Sequence, residues 1–369
     1  MKIVADISIG SMAYGTLARW QPAALFAQGQ AGACLDLTRA GALFSDTAGS
    51  VAITAGAVPV ARAQDWATGS DPLLQAVSGQ RPLSTRYPRC GLRTLMANSN
   101  PNAAGFVQSG GPLTNEAGFG PAPASVGVAA NALTTYGYLS GILPNTVVGR
   151  ISLHVAMQDG DPPIFTSSSA TNAGNTLVLR ANSANQTPTN YDVQDLGGGI
   201  FRVSTAVTGT GTGNCGFIRY SSNQQRAFRI AAFQLEAGGL TNWQWAQQGG
   251  LDVTESGAAA VLGLRPDLID DTLALTLSGA VTGEVFVAGA GACHVAPLTL
   301  GSGATFTVGP QSWTQGPANA LLTILGQGAT ILPRLLGVVL RAGSFSPAER
   351  SNLTRYFQGR GAGAFQEVL

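Results

Sequence analysis

The chain has 369 residues, 45% hydrophobic and only 11% charged, with 20 basic and 19 acidic side chains and a formal net charge of +1. That apolar content excludes a disordered chain, and near-neutrality excludes the basic field that a nucleic acid or an anionic membrane would need. The length is too great for one small sandwich; at roughly 100–200 residues per domain it suggests two or three units.

Lys2 is the sole lysine, so the cations are almost all arginines, whose planar forks pair with carboxylates and suit subunit contacts. Cys34, Cys90, Cys215 and Cys293 lie far apart and follow no metal-ligand spacing, which makes buried free thiols the expected state and calls for no cofactor. Asp6 interrupts the first apolar run before a signal-peptide core forms, and no later stretch holds about 18 uninterrupted apolar residues. The expectation is synthesis in the cytoplasm without a signal peptide and without membrane insertion. A place outside the cell would then be reached by lysis or on a carrier particle.

In chain order, residues 1–25 carry Trp20 and Pro22 but no helical stripe, which predicts a short strand or an extended docking arm. Residues 26–90 alternate short apolar pieces with turn formers, as in Leu43-Phe44 before Asp46 to Gly49. They predict short strands leading into a first sandwich. Period-two runs mark residues 91–240: Thr146 to Met157, Thr176 to Arg180, Ile200 to Val207 and Phe228 to Glu236, with a phase shift near Gly149 that predicts a bulge or bend. Links rich in Gly, Asn, Ser and Thr join them, the composition of a jelly roll. Residues 241–369 repeat the pattern from Ala259 to Arg341 and predict a second sandwich. One helix closes the series at 347–358, where Ser346, Pro347 and Glu349 spell a capping box with proline in the first turn, and Gly359 follows as a stop. The fold class predicted is therefore mainly β: tandem antiparallel sandwiches with one C-terminal helix.

Candidate chemistry is sparse. His154 and His294 sit in strand-like alternation without a nucleophile and acid in any catalytic motif, so no catalytic residue is assigned. A glycosidase needs two carboxylates across a cleft; Asp159/Asp161, Asp195, Glu236, Asp252/Glu255 and Asp270/Asp271 supply carboxylates, but spacing pairs none of them across a sugar ring. Asp195 and Glu236 are read as strand-ending, loop-holding residues. Asp159-Gly-Asp161 offers alternate oxygens to calcium, against the simpler alternative of a turn. Trp243 and Trp245 share one side of an extended segment, as do Tyr136 and Tyr138; each pair is a candidate platform for a sugar ring, with core or interface packing as the alternative. The glycine runs at 197–199 and 209–213 lack the lysine and helix of a phosphate cradle and are read as turns.

Three blocks resemble structural proteins of phages and prophages. The first holds Pro22-Ala-Ala-Leu-Phe26, Gly29 to Gly32, Asp36, Leu43-Phe44-Ser-Asp46 to Gly49, Val58-Pro-Val60, Asp65, Gln75 and Arg81-Pro82, departing from the pattern at Ala33-Cys34 and at Trp66 to Gly69. The second is Phe228 to Gly238 with Thr241 and Trp243-Gln244; it is similar to the final strand of carbohydrate-binding-module-like jelly rolls. The third, Leu336 to Arg341 with Ser346 to Gly359, is similar to the strand and helix that close lectin-like (concanavalin-like) domains. The resemblance covers about a third of the chain and implies a spike or fibre of a phage, or of a phage-like particle such as a gene transfer agent. It implies attachment to host cell-surface polysaccharide, self-association as a trimer or pentamer, and contact with other virion proteins through the N-terminal region. A purely structural vertex or connector protein is the alternative, and a polysaccharide-degrading spike enzyme a lesser one.

Overall fold

A computed structural model describes residues 20–67, 72–96, 99, 106–109, 113–129, 136–142, 148–165, 176–181, 184–185, 190–207, 214–220, 226–265, 271, 273–277, 279–289, 292–308, 313–315, 321–322 and 334–360. It is mainly β, with four sheets and the helix Pro347–Gln358. Among the described residues pairing is antiparallel except for two short strand contacts, Ile164–Phe165 with Thr176–Ala181 and Asp252–Glu255 with Leu83–Pro88, and the isolated bridge of Gly283 with Gly343.

Sheet I runs in the order Gln244–Gln247, Asp252–Glu255, Leu83–Pro88, Ala260–Arg265, Leu335–Ala342, Val281–Gly289, Ala292–Leu300, and Gly32–Asp36 also pairs with Leu335–Ala342. Sheet II joins Leu43–Phe44, Arg62–Ala63 and Leu73–Leu74 to Leu273–Thr276, Thr305–Val308, Trp313–Gln315 and Leu321–Leu322. One core lies between the two sheets. Leu35, Val285, Val338 and Leu340 come from sheet I, and Leu43, Leu73, Leu275 and Phe306 from sheet II. The opposite face of sheet I is apolar as well and is covered by the turn Pro22–Phe26 and the C-terminal helix, through Phe26, Phe286, Val339, Leu353 and Phe357. Period two explains how one strand serves both cores: in Leu335–Ala342, Val338 and Leu340 face sheet II while Val339 faces the helix.

Sheets III and IV lie between these halves in sequence. Sheet III runs Tyr191–Gly197, Ile200–Val207, Gly149–Met157, Phe228–Glu236, Ala124–Val128, Leu113–Ala117. Sheet IV runs Ile164–Phe165, Thr176–Ala181, Asn214–Tyr220, Tyr136–Ile142, Phe106–Ser109, with Ala184–Asn185 alongside. Leu177 and Phe165 of sheet IV pack on the Ile151, Val203 and Phe233 face of sheet III.

The pairing departs from the serial order expected of the sequence. Residues 26–90, expected to lead into the unit at 91–240, give their strands to sheets I and II, whose remaining strands follow residue 243. The cause is burial: Ala33, Leu35 and Leu37 bury their side chains beside Leu335–Ala342 and beneath sheet II. Two local expectations also change. Pro22–Phe26 is a 3-10 turn and not a strand, its proline seated in the first turn; residues 1–19 lie outside the described residues. The bulge lies not at Gly149 but opposite Leu153, where the register of Gly149–Met157 against Phe228–Glu236 slips between Ser152 and His154. Ala232 absorbs it with φ +59°. Gly149 serves another need, since a Cβ there would stand 2.0 Å from the Glu236 carbonyl oxygen.

Candidate functional site

The chain leaves sheet I after Pro88 and returns to it at Gln244, and the two crossings run side by side. Thr94 bridges Glu236, and the Leu95 amide donates to the Leu235 carbonyl at 2.7 Å. Gln244, fully buried, ties both crossings together: its Oε1 accepts from the Arg93 and Thr94 amides at 2.8 and 3.0 Å, and its Nε2 donates to the Gly91 carbonyl and to Glu255. Such a saturated amide fixes a crossing because any displacement strands several buried partners.

The outer face of sheet III is polar where the returning segment crosses it. Arg202, only 7% exposed, donates to the Ser152 hydroxyl and to the Thr241 carbonyl and lies 4.0 Å from Glu236. Gln234 accepts from the Gln244 amide and donates to the Asn242 carbonyl, while Glu236 accepts from the Thr241 amide and hydroxyl. The polar residues of the second sequence block are therefore what hold the crossing down. His154 is buried here with neither ring nitrogen hydrogen-bonded; burial, reinforced by the Arg202 charge, pushes its pKa down to about 4.

Trp243 and Trp245 do come together, with ring centroids 5.4 Å apart and planes tilted by 57°. They do not form an open platform. Trp245 is 6% exposed and packs on Phe119, Ala156 and Ala231; Trp243 is half-buried over the His154 ring at 5.9 Å and donates its Nε1 hydrogen to the Ala232 carbonyl. The packing alternative describes this pair, because the crossing turns both indoles toward sheet III. Tyr136 and Tyr138 lie on the strand Tyr136–Ile142, and their side chains are outside the described residues, as is that of His294.

The carboxylates have partners. Asp159 receives the Arg226 guanidinium through two nitrogens, while Arg226 also donates to the Asp161 and Pro162 carbonyls; the hydrogen bonds from Arg226 hold Asp159 down at about 2. The Asp161 amide donates to Asp159 across the turn, and the Arg226 guanidinium occupies both oxygens of the Asp159 carboxylate. Asp195 accepts from the Gly197 amide, and Asp252 takes Arg86 in a two-pronged pair. Glu255 takes Arg93, Gln244 and the Cys90 thiol. Among the described residues no three His, Cys, Asp or Glu side chains gather as metal ligands. Asp270 lies outside the described residues.

Two neighbouring cavities share Arg89, a residue that sequence reasoning passed over. The smaller, about 190 Å³, is walled by Trp20, Tyr356, Asn352, Arg355 and Arg360. The larger, about 500 Å³, is open and lined by Asn242, Glu255, Ser256 and the glycine-alanine turn that follows. Arg89 divides them, its Nε–H on the Gly359 carbonyl at 3.1 Å. In the smaller cavity the Trp20 and Tyr356 rings meet edge to face, centroids 6.2 Å apart. The Tyr356 hydroxyl donates to buried Asp36 and accepts from Arg360, and burial first, then Asp36, raises its pKa above the usual phenol value. Asp36 is itself fixed by the Thr38 amide and hydroxyl. The first and third sequence blocks thus meet in this wall, 320 positions apart in the chain.

The sequence matches no protein-family profile, and among curated proteins none matches significantly. Among solved structures the chain is similar to the N-terminal CBM22-1-CBM22-2 tandem domain of Xyn10C from Paenibacillus barcinonensis, at 10% identity over 70% of this chain and 92% of that one, with a TM-score of 0.27. It is also similar to the major pilin SpaA of Corynebacterium diphtheriae, at 12% identity over 71% and 68%, with a TM-score of 0.14. Scores this low leave the site to be interpreted from its own residues.

Proposed function

We propose that this chain is a non-catalytic structural protein of a phage or phage-like particle, such as a head spike, head fibre or tail fibre, that attaches the particle to host cell-surface polysaccharide. The observation that carries the sugar-binding part is the pair of cavities about Arg89, where two aromatic rings stand beside an open cleft to which Asn242, Glu255 and Ser256 bring polar groups. Sugars are held by that combination, the apolar face of a ring on an aromatic side chain and the hydroxyls on polar groups. A non-catalytic role is supported by the carboxylates Glu236, Asp252 and Glu255, each engaged with an arginine or a loop. Among the described residues Glu255 is the one carboxylate lining these two cavities, where a glycosidase would need two. The particle assignment rests on the three sequence blocks, two of which fold against one another as Gly32–Asp36 on Leu335–Ala342. On this proposal the protein is displayed on the virion surface as a homo-oligomer, trimeric on a fibre or pentameric at a capsid vertex, matching the symmetry of its mount. Its N-terminal region contacts other virion proteins.

Particles lacking the protein should assemble normally and adsorb poorly to host cells, and a glycan array should show selective retention of the purified chain. Unchanged adsorption would remove the attachment role. Particles that form but lose a separate fibre would replace it with the connector role.

A further inference from the structure

The smaller cavity has a charge that a neutral sugar does not require. Three arginines reach it, Arg89, Arg355 and Arg360, and among the described residues no carboxylate lines it. Asp36, hydrogen-bonded to the Tyr356 hydroxyl, is 1% exposed and also held by Thr38. Arg360 is held over the Tyr356 ring and donates to its hydroxyl, and Arg89 uses Nε on Gly359. Arg355 projects from the last helical turn; its guanidinium is exposed and has no hydrogen-bond or ion-pair partner among the described residues. Elsewhere several described arginines face carboxylates, among them Arg86 with Asp252, Arg93 with Glu255, Arg226 with Asp159 and Arg341 with Glu349, while Arg62 and Arg81 are engaged by backbone carbonyls. Here three converge without one, beside two aromatic faces.

We infer that the Trp20–Tyr356 cavity is a binding site for a carboxylated sugar, such as a uronic acid residue of an acidic polysaccharide. The inference rests on the polysaccharide-attachment proposal above. The chemistry is complementary at both ends: a guanidinium fork matches a carboxylate in two parallel hydrogen bonds, and a sugar's C–H face lies against an indole or phenol ring. The cavity volume admits one ring, and the wider cleft beyond Arg89, with Asn242, Ser256 and Glu255, lies where the next residues of a chain would run.

The test uses the full chain and four immobilised probes: polygalacturonate, alginate, and the neutral carboxyl-reduced form of each. Host-cell polysaccharide extract provides a fifth arm. Expected are binding to at least one acidic polymer, none or much less to its reduced form, and roughly tenfold weaker binding for Arg355→Gln, the value of one charge-assisted hydrogen bond. Trp20→Ala should weaken it comparably, whereas Arg350→Gln, on the same helix but outside the cavity, should not. Equal binding to acidic and reduced polymers, or acidic binding that Arg355→Gln and Trp20→Ala leave intact, overturns the inference while attachment to polysaccharide stands. Failure to bind any polymer, the extract included, overturns both.

Discussion

Ala232 occupies the left-handed region at φ +59°, where a Cβ meets the following carbonyl at a cost of about 1–2 kcal/mol. The bulge sends its carbonyl toward the Trp243 indole, which donates to it at 3.1 Å. Trp243→Phe keeps most of the ring and deletes that donor, so it should destabilise the fold by about 1–3 kcal/mol, as a buried acceptor left unpaired does; urea denaturation measures it. His154, beside the same indole, makes a second prediction. It is neutral in the folded chain, with its pKa down at about 4 from an ordinary 6.5, because burial and then Arg202 oppose its charge. The unfolded chain takes up that proton first, so stability is full above about pH 6.5 and falls as pH drops toward 4, by up to about 3 kcal/mol if the whole shift is realised. Asp46, Asp159 and Glu349, held near 2 mainly by hydrogen bonds, lose their contribution only below their ordinary carboxylate values. Among the described groups the window between pH 5 and 7 therefore belongs to His154. Unfolding midpoints at pH 7 and pH 5 should differ in the native chain and draw together in His154→Leu. Neither feature was legible in the sequence: an alanine carries no sign of a positive φ, and a histidine in an alternating strand is silent about which face is buried.

At the scale of the element, local chemistry was readable where it is local. Ser346 and Glu349 form the reciprocal capping bonds that their spacing announces, and the helix spans Pro347–Gln358 as its capping box and following glycine predict. The Asp46 turn is similar: its carboxylate accepts from the Ser50 and Val51 amides, and Asp65 likewise takes the Cys34 and Ala67 amides. These are the acids of the first sequence block, and their work is holding loops. What the helix packs against could not be read from it. Phe357 lies over Gly337, where an added Cβ would stand 2.3 Å from the ring. Gly337→Ala must therefore displace the ring or the strand, and the expected loss is about 1–3 kcal/mol, the usual effect of overpacking a filled core. Differential scanning calorimetry of Gly337→Ala, beside Gly337→Ala with Phe357→Leu, should show the second change recovering part of the loss. A loss that the smaller side chain does not relieve would mean that the glycine is needed for its backbone.

At the scale of the molecule, the sequence shows strands but not their partners, because period two reports which residues face inward and not which strand lies alongside. Leu35 meets Val338 across about 300 residues of chain, and three blocks met in linear order read as serial units. The pairing instead builds one sandwich from both ends of the chain and sets the other between Thr94 and Glu236. Those two residues are antiparallel partners, so their backbones are already placed as the ends of a hairpin. Replacing residues 95–235 by a two-residue Asn-Gly turn, whose twist suits such a pair, should leave sheets I and II and the Arg89 cavities intact. The excision uncovers Trp243 and Trp245, which pack on sheet III, so both become threonine in the same variant. Gln244 keeps its bonds to Gly91, Arg93, Thr94 and Glu255, all on the retained side. The shortened chain should unfold in one cooperative transition by circular dichroism and retain the acidic-polymer binding assigned to Trp20, Arg355 and Tyr356. A chain that stays unfolded would show that sheets I and II depend on the crossing network of Arg202, Gln234 and Glu236. A folded chain without binding would instead place the sugar contacts on sheets III and IV. Folding with binding kept would locate attachment at the helix end of the discontinuous sandwich and leave the inserted one free for contacts between copies.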